Sequence, residues 1–118
     1  EGKYGHSVLV PEDTEDLAFG RISDESVSKR KIQRELIGKH FQKIDASDAI
    51  LVLNFSKNGT EYYIGANTFL EMGVAFRRGI PIFLHNPVPD NPYIYDEVVA
   101  MQPIVLFGDF NRIALHIT

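Results

Sequence analysis

The stretch from Ala49 to Leu84 constrains this chain more than any other part of it. Ala49 to Phe55 (AILVLNF) is a nearly continuous apolar run, the pattern of a central strand covered on both faces. Ser56 to Gly65 then reads as a loop, rich in Asn and Gly and carrying two tyrosines. From Thr68 to Arg78 the spacing predicts a helix, with Phe69, Met72, Val74, Ala75 and Phe76 available for packing and Gly79 as a left-handed cap. Ile80 to Leu84 follows at once as a second apolar strand. A strand, a helix and a strand with short joints imply parallel pairing and a right-handed crossover.

The flanking sequence extends this unit in both directions. Ser7 to Val10 (SVLV) reads as a short buried strand that stops at Pro11, where a ladder donor is lost. The stretch to Ile22 is acidic and irregular, after which Ser23 or Asp24 is positioned to cap a helix running to about Ile44. Val27, Ile32, Leu36, Ile37, Phe41 and Ile44 form its apolar stripe, and Asp45 to Asp48 make a polar turn. Three prolines make His85 to Pro92 (HNPVPDNP) a surface loop. A short helix from about Tyr93 to Met101, a strand from Pro103 to Phe107 and a helix from Asp109 to His116 complete the chain.

The expected fold class is therefore α/β, a flavodoxin-like open parallel sheet with helices on both faces and strands near residues 7–10, 49–54, 80–84 and 104–107. The opening residues EGKYGH read as the end of a helix. In a flavodoxin-like order the first strand lies in the middle of the sheet, so an N-terminal strand and helix, about 30 residues, are expected to be missing from residues 1–118, which otherwise make one domain.

Composition removes several classes of function. With 44% apolar and 24% charged residues the chain has ordinary globular character, neither disordered nor fibrous. It contains no cysteine, which excludes disulfides and thiolate metal sites, and no apolar run approaches the roughly 18 residues of a membrane span. A formal charge of −4 argues against a broad nucleic-acid surface, so no nucleic acid polymer and no membrane are expected as partners. The basic run Lys29, Arg30, Lys31 reads as the solvated face of a helix. No His, Asp and Glu pattern has metal-ligand spacing, and no phosphate-loop or dinucleotide fingerprint occurs, so neither a metal nor a cofactor is expected. The cytoplasm is the default compartment.

Open parallel sheets bind ligands beyond the carboxyl ends of their strands, which selects Asn54 to Asn67 and His85 to Asn91. Gly65, Ala66, Asn67 and Thr68 lead into a helix N-terminus, whose N–H groups and positive dipole end suit an anion or a sugar oxygen. The same small residues also serve as an ordinary cap. Glu71 carries two readings as well. Thr68-x-x-Glu71 has the form of a capping box, whereas a carboxylate beside the crevice can act as nucleophile or acid/base at a glycosidic bond.

The run SDAILVLNFSKNGTEYYIGANTFLEMGVAFRRGIPIFL, from Ser47 to Leu84, resembles the nucleoside 2-deoxyribosyltransferase-like family over about a third of the chain. That family has an aspartate-led strand, a small-residue loop, a Thr or Gly, then Glu-x-Gly-x-Ala and a second strand. Here the matching parts are Asp48, Ala49 to Asn54, Gly65 to Thr68, Glu71 with Gly73 and Ala75, and Ile80 to Leu84. The resemblance implies that Glu71 is a nucleophile receiving the deoxyribosyl group, and that Gly65, Asn67 and Thr68 bind sugar or 5′-phosphate oxygens.

Two positions depart from the pattern. Where the family has an Asp eight residues before the strand-leading Asp, this chain has His40, and where it has Asp or Ser six residues before the nucleophile, this chain has Gly65. His40 is either an acid/base substitute or a boundary residue of the helical stripe; Gly65 offers no side chain. Ala100, Met101 and Gln102 resemble the segment that family members offer to a neighbouring subunit, though a helix end before Pro103 accounts for the same residues. Asn54, His85 and Asn86, at strand exits, are further candidates to line the crevice. The implied activity is cleavage of, or deoxyribosyl transfer at, the N-glycosidic bond of a nucleoside or nucleotide by a homodimer or larger homo-oligomer. The alternatives are a non-catalytic nucleotide-binding or sensing module of the same fold, and an interaction domain whose loop residues only cap helices.

Overall fold

The structure is a computed structural model that describes residues 7–11 and 27–117. The expected cap at Ser23 or Asp24, the irregular stretch over residues 12–22 and the segment before Ser7 lie outside them. In chain order the elements are β1 (Val8–Leu9), α1 (Val27–Asp45), β2 (Ala49–Val52), α2 (Ala66–Arg78), β3 (Ile82–Leu84), α3 (Tyr95–Ala100), β4 (Ile104–Val105) and a 3₁₀ helix (Phe110–Leu115).

The four strands form one parallel sheet in the order β1-β2-β3-β4, which makes the class α/β. Ile50, Leu51 and Val52 lie opposite Ile82, Phe83 and Leu84, and Phe83 and Leu84 lie opposite Ile104 and Val105. The strands are shorter than the apolar runs that encode them. Proline explains one end, because Pro81 accepts from the Ile50 N–H through its carbonyl at 3.0 Å but has no N–H of its own to give.

β1 pairs directly with β2, Val8 opposite Ala49 and Leu9 opposite Ile50. Among the described residues the four strands neighbour one another in sequence order. Asp48 fastens this junction. Its carboxylate accepts from the Ser7 N–H at 2.8 Å while its own N–H donates to the Ser7 carbonyl at 2.7 Å.

A sheet that grows in one direction with right-handed crossovers must place every crossover helix on the same face. The core shows this arrangement. Ile50, Val52, Ile82 and Leu84 meet Ile44 of α1, Met72 and Ala75 of α2 and Val98 of α3. The reverse face, Ala49, Leu51, Phe83 and Leu106, is met by Ile113 of the 3₁₀ helix and by Ile117. Helices on both faces were expected; among the described residues three α-helices share one face and a 3₁₀ helix covers the other. The last helix takes the tighter form through three-residue closures, Arg112 N–H to the Asp109 carbonyl (3.2 Å) and His116 N–H to the Ile113 carbonyl (3.0 Å). Ile32 and Phe76, read as packing residues, are exposed.

Helices α1 and α2 lie side by side. At their C-terminal ends Arg78 Nε stands 3.2 Å from Asp45 Oδ1, an ion pair half open to water and therefore worth at most about 1 kcal/mol. Gly79 ends α2 as expected, with φ 75° and ψ 18°, and the Ile80 N–H reaches back to the Ala75 carbonyl at 3.1 Å.

Candidate active site

The position of Glu71 follows from where α2 begins. Gly65 is the N-cap, in extended conformation (φ −77°, ψ 169°), and makes no side-chain cap bond. The helix therefore starts at Ala66, two residues before Thr68, and Thr68 is its third residue while Glu71 is its sixth. The capping-box reading fails on this register, because a reciprocal cap needs the Thr at the N-cap and the Glu three residues later in the first turn. Glycine wins the cap position by being small enough to be buried there.

With no cap to complete, the Glu71 side chain turns toward α1. Oε2 lies 3.1 Å from His40 Nδ1, and the carboxylate is nearly sealed, with 4% of the side chain exposed against 24% for His40. An ionised carboxylate can only accept, so in that state Nδ1 carries the proton and Nε2 is the nitrogen left for other chemistry. A buried carboxylate costs stability unless it is hydrogen-bonded and paired, which gives this contact a physical reason as well as a chemical use.

Glu71 and His40 line a pocket of about 160 Å³ at the carboxyl end of β1, together with Leu9, Val10, Pro11 and Lys43. Val10 and Pro11 also border a larger open pocket of about 460 Å³, whose other walls include Phe55, Ser56, Lys57, Tyr63, Gly65 and Thr68. Thr68 precedes Glu71 by three residues, so both lie on one face of α2, and the two pockets share Val10 and Pro11 as walls. Asn67 lies on the opposite flank of Glu71, in the α1/α2 seam with Leu36, Ile37, Phe41 and Leu70. The structure thus brings Glu71, His40, Asn67, Thr68 and Gly65 together.

The other four candidates, Asn54, Asn86, His85 and Gln102, line neither pocket. Asn54 is wholly buried, with 0% exposed. Its Nδ2 donates to the carbonyls of Asn86 and Pro87, each at 3.0 Å, and its Oδ1 accepts from the Asn86 N–H at 2.9 Å. Asn86 replies by donating from Nδ2 to the Asn54 carbonyl at 3.1 Å. The two asparagines clasp the exits of β2 and β3, so the bonds of both side chains serve to join the strand ends. His85 leaves β3 with its ring 4.9 Å from Phe55 and 5.4 Å from Phe110, centroid to centroid, and is an aromatic support behind the crevice wall. Gln102 follows α3, exposed and with φ 55°, and borders neither pocket.

Other wall residues carried little signal in the sequence. Lys43 sits three residues after His40 and so shares its helix face, a relation that spacing alone could have shown. Phe55, Lys57 and Tyr63 are brought together by the Asn58-Gly59 turn, where φ values of 51° and 80° and two 2.9 Å bonds between Lys57 and Thr60 close a tight hairpin. Lys57 Nζ rests 5.4 Å from the centre of the Tyr63 ring.

Among the described residues no group of three or more His, Cys, Asp or Glu could hold a metal ion, and no helix is long and apolar enough to cross a membrane. Comparison of the chain with protein-family models, curated proteins and solved structures finds no match.

Proposed function

We propose that this protein cleaves, or transfers deoxyribose across, the N-glycosidic bond of a nucleoside or nucleotide, with Glu71 as the nucleophile. The observation that carries the reading is the 3.1 Å pair between His40 Nδ1 and Glu71 Oε2 on the wall of a pocket. A carboxylate at a crevice wall rather than in a helix cap can serve as the nucleophile of covalent glycosyl chemistry, and an imidazole beside it can move a proton.

In the first step a Glu71 oxygen bonds to the anomeric carbon as the bond from that carbon to the base nitrogen breaks. The electron pair leaves with the base, which takes a proton from the His40 side of the pocket or from water. In the second step water or another base attacks the same carbon, and Glu71 departs as carboxylate. The His40 bond holds Oε2, which orients the carboxylate for attack. Thr68 and Asn67, with the N-terminal end of α2, are read as holding sugar or phosphate oxygens. The fold reading belongs to the same proposal: a flavodoxin-type domain, supported by the parallel four-stranded sheet with helices between its strands.

One observation favours a second reading, a nucleotide-binding or sensing module without turnover. Gly65 stands buried at the helix cap where an acid or hydroxyl is expected, so no side chain there can serve the leaving base. Assembly into a homodimer or larger oligomer belongs to the same reading, with Gln102, exposed after α3, as the residue offered to a neighbouring subunit.

The two readings separate in one experiment. The protein is incubated with a panel of deoxynucleosides and their 5′-monophosphates, free base is measured, and the quenched protein is mass-analysed. Catalysis predicts base release and a deoxyribosyl adduct on the peptide containing Glu71. Nucleotide binding with neither product would leave the sensing module.

A further inference from the structure

We propose that Phe55 is a stacking platform for the nucleobase, so that the 460 Å³ pocket is the base subsite of this crevice. The inference rests on the nucleoside reading of the crevice and adds to it the residue that recognises an aromatic ligand.

Phe55 is 52% exposed although it follows an otherwise buried strand, and it lines the pocket wall. Single exposed apolar residues are common on protein surfaces and need no explanation by themselves. This one differs in being held in place. Its N–H donates to the Leu53 carbonyl at 2.9 Å and its carbonyl accepts from the Tyr63 N–H at 3.1 Å, so the backbone is fixed on both sides. Behind the ring stands His85, at 4.9 Å and an interplanar angle of 76°. An edge-to-face contact of this kind leaves aromatic surface unstacked. His85 is in turn packed against Phe110, so the support does not depend on a single rotamer. A preorganised ring loses little entropy on binding, which turns exposed aromatic area into affinity.

The neighbouring part of the wall fits the same ligand class. Tyr63 supplies a second ring, with Lys57 above it, and the tight Asn58-Gly59 turn fixes both. Thr68 borders the same pocket and lies one helical turn from Glu71. A base over Phe55 therefore leaves its sugar reaching across Val10 and Pro11 toward the carboxylate.

The chain contains no tryptophan, so Phe55→Trp introduces a single reporter at the platform. It is combined with Glu71→Gln to prevent turnover, and fluorescence is followed on adding deoxyadenosine 5′-monophosphate, thymidine 5′-monophosphate or 2-deoxyribose 5-phosphate. Saturable quenching by the two nucleotides and none by the sugar phosphate is expected. In parallel, Phe55→Ala should weaken nucleotide binding by about fivefold to a hundredfold, the range for losing one base stack. Absence of saturable quenching, equal quenching by the sugar phosphate, or undiminished nucleotide affinity in Phe55→Ala would overturn the platform. Its fate is separable from that of catalysis. Quenching in a protein whose parent releases no base keeps the platform and removes the nucleophile, and base release with an unresponsive reporter does the reverse.

Discussion

Asn54 and Glu71 are both polar side chains sealed beside the same crevice, yet they are engaged in different ways. Asn54 places its amide nitrogen on two carbonyls and its oxygen on an N–H, and receives a fourth bond through its own carbonyl. Every partner is backbone or amide from the Asn86 loop, so the arrangement is neutral and complete. Glu71 instead sets a carboxylate against one titratable ring and borders open space. Neutral, saturated bonding ties segments together and has nothing left for a ligand. On the proposed reading, a carboxylate held by an imidazole at a pocket wall is the one placed to act on a ligand.

The largest effect should come from Glu71→Gln. Glutamine keeps the size of the side chain and can still accept from His40, but it is no nucleophile; base release should fall at least about a thousandfold. Thermal unfolding should meanwhile show stability equal to or above that of the parent, because a neutral amide is cheaper to bury than a carboxylate. A large loss of stability would place Glu71 on the structural side with Asn54. Asn54→Ala should behave in the opposite way. Denaturant unfolding should report a loss of about 2–4 kcal/mol, since the Asn86 N–H and two carbonyls lose their buried partner.

His40→Ala tests the other half of the pair. Turnover should drop about a hundredfold, the lower range for an acid/base group, while nucleotide affinity measured in the Glu71→Gln background stays within about threefold of the parent background. Equal loss of binding and turnover would reduce His40 to a packing residue. The smallest effect belongs to Gly79→Ala at the far end of α2. Forcing a β-carbon onto a residue with φ 75° should cost about 1 kcal/mol in unfolding experiments and leave turnover unchanged.

The contrast between these residues also shows what a sequence can reveal. The β2-α2-β3 unit was legible because apolar strands, helical spacing and a terminal glycine all act over a few residues. The start of α2 was misread for a related reason. Thr68-x-x-Glu71 is a recognisable local pattern, whereas Gly65 caps through its backbone and leaves no side-chain signal. The clasp of Asn54 on Asn86 was not legible, because the two lie 32 residues apart and nothing local announces the pairing. His40 and Glu71, 31 residues apart, were each open to two readings until α1 and α2 were seen side by side. Phe55, Lys57 and Tyr63 escaped notice because a hairpin turn, rather than helical or strand spacing, gathers them.

The sequential strand order has a consequence for how the sheet is made. Each strand pairs only with strands adjacent to it along the chain, as β1 with β2, β2 with β3 and β3 with β4. Among the described strands each pairing therefore closes over a single crossover connection rather than over two, which limits the loop entropy to be overcome. On a ribosome each of β2, β3 and β4 finds the edge of the strand it docks on already synthesised.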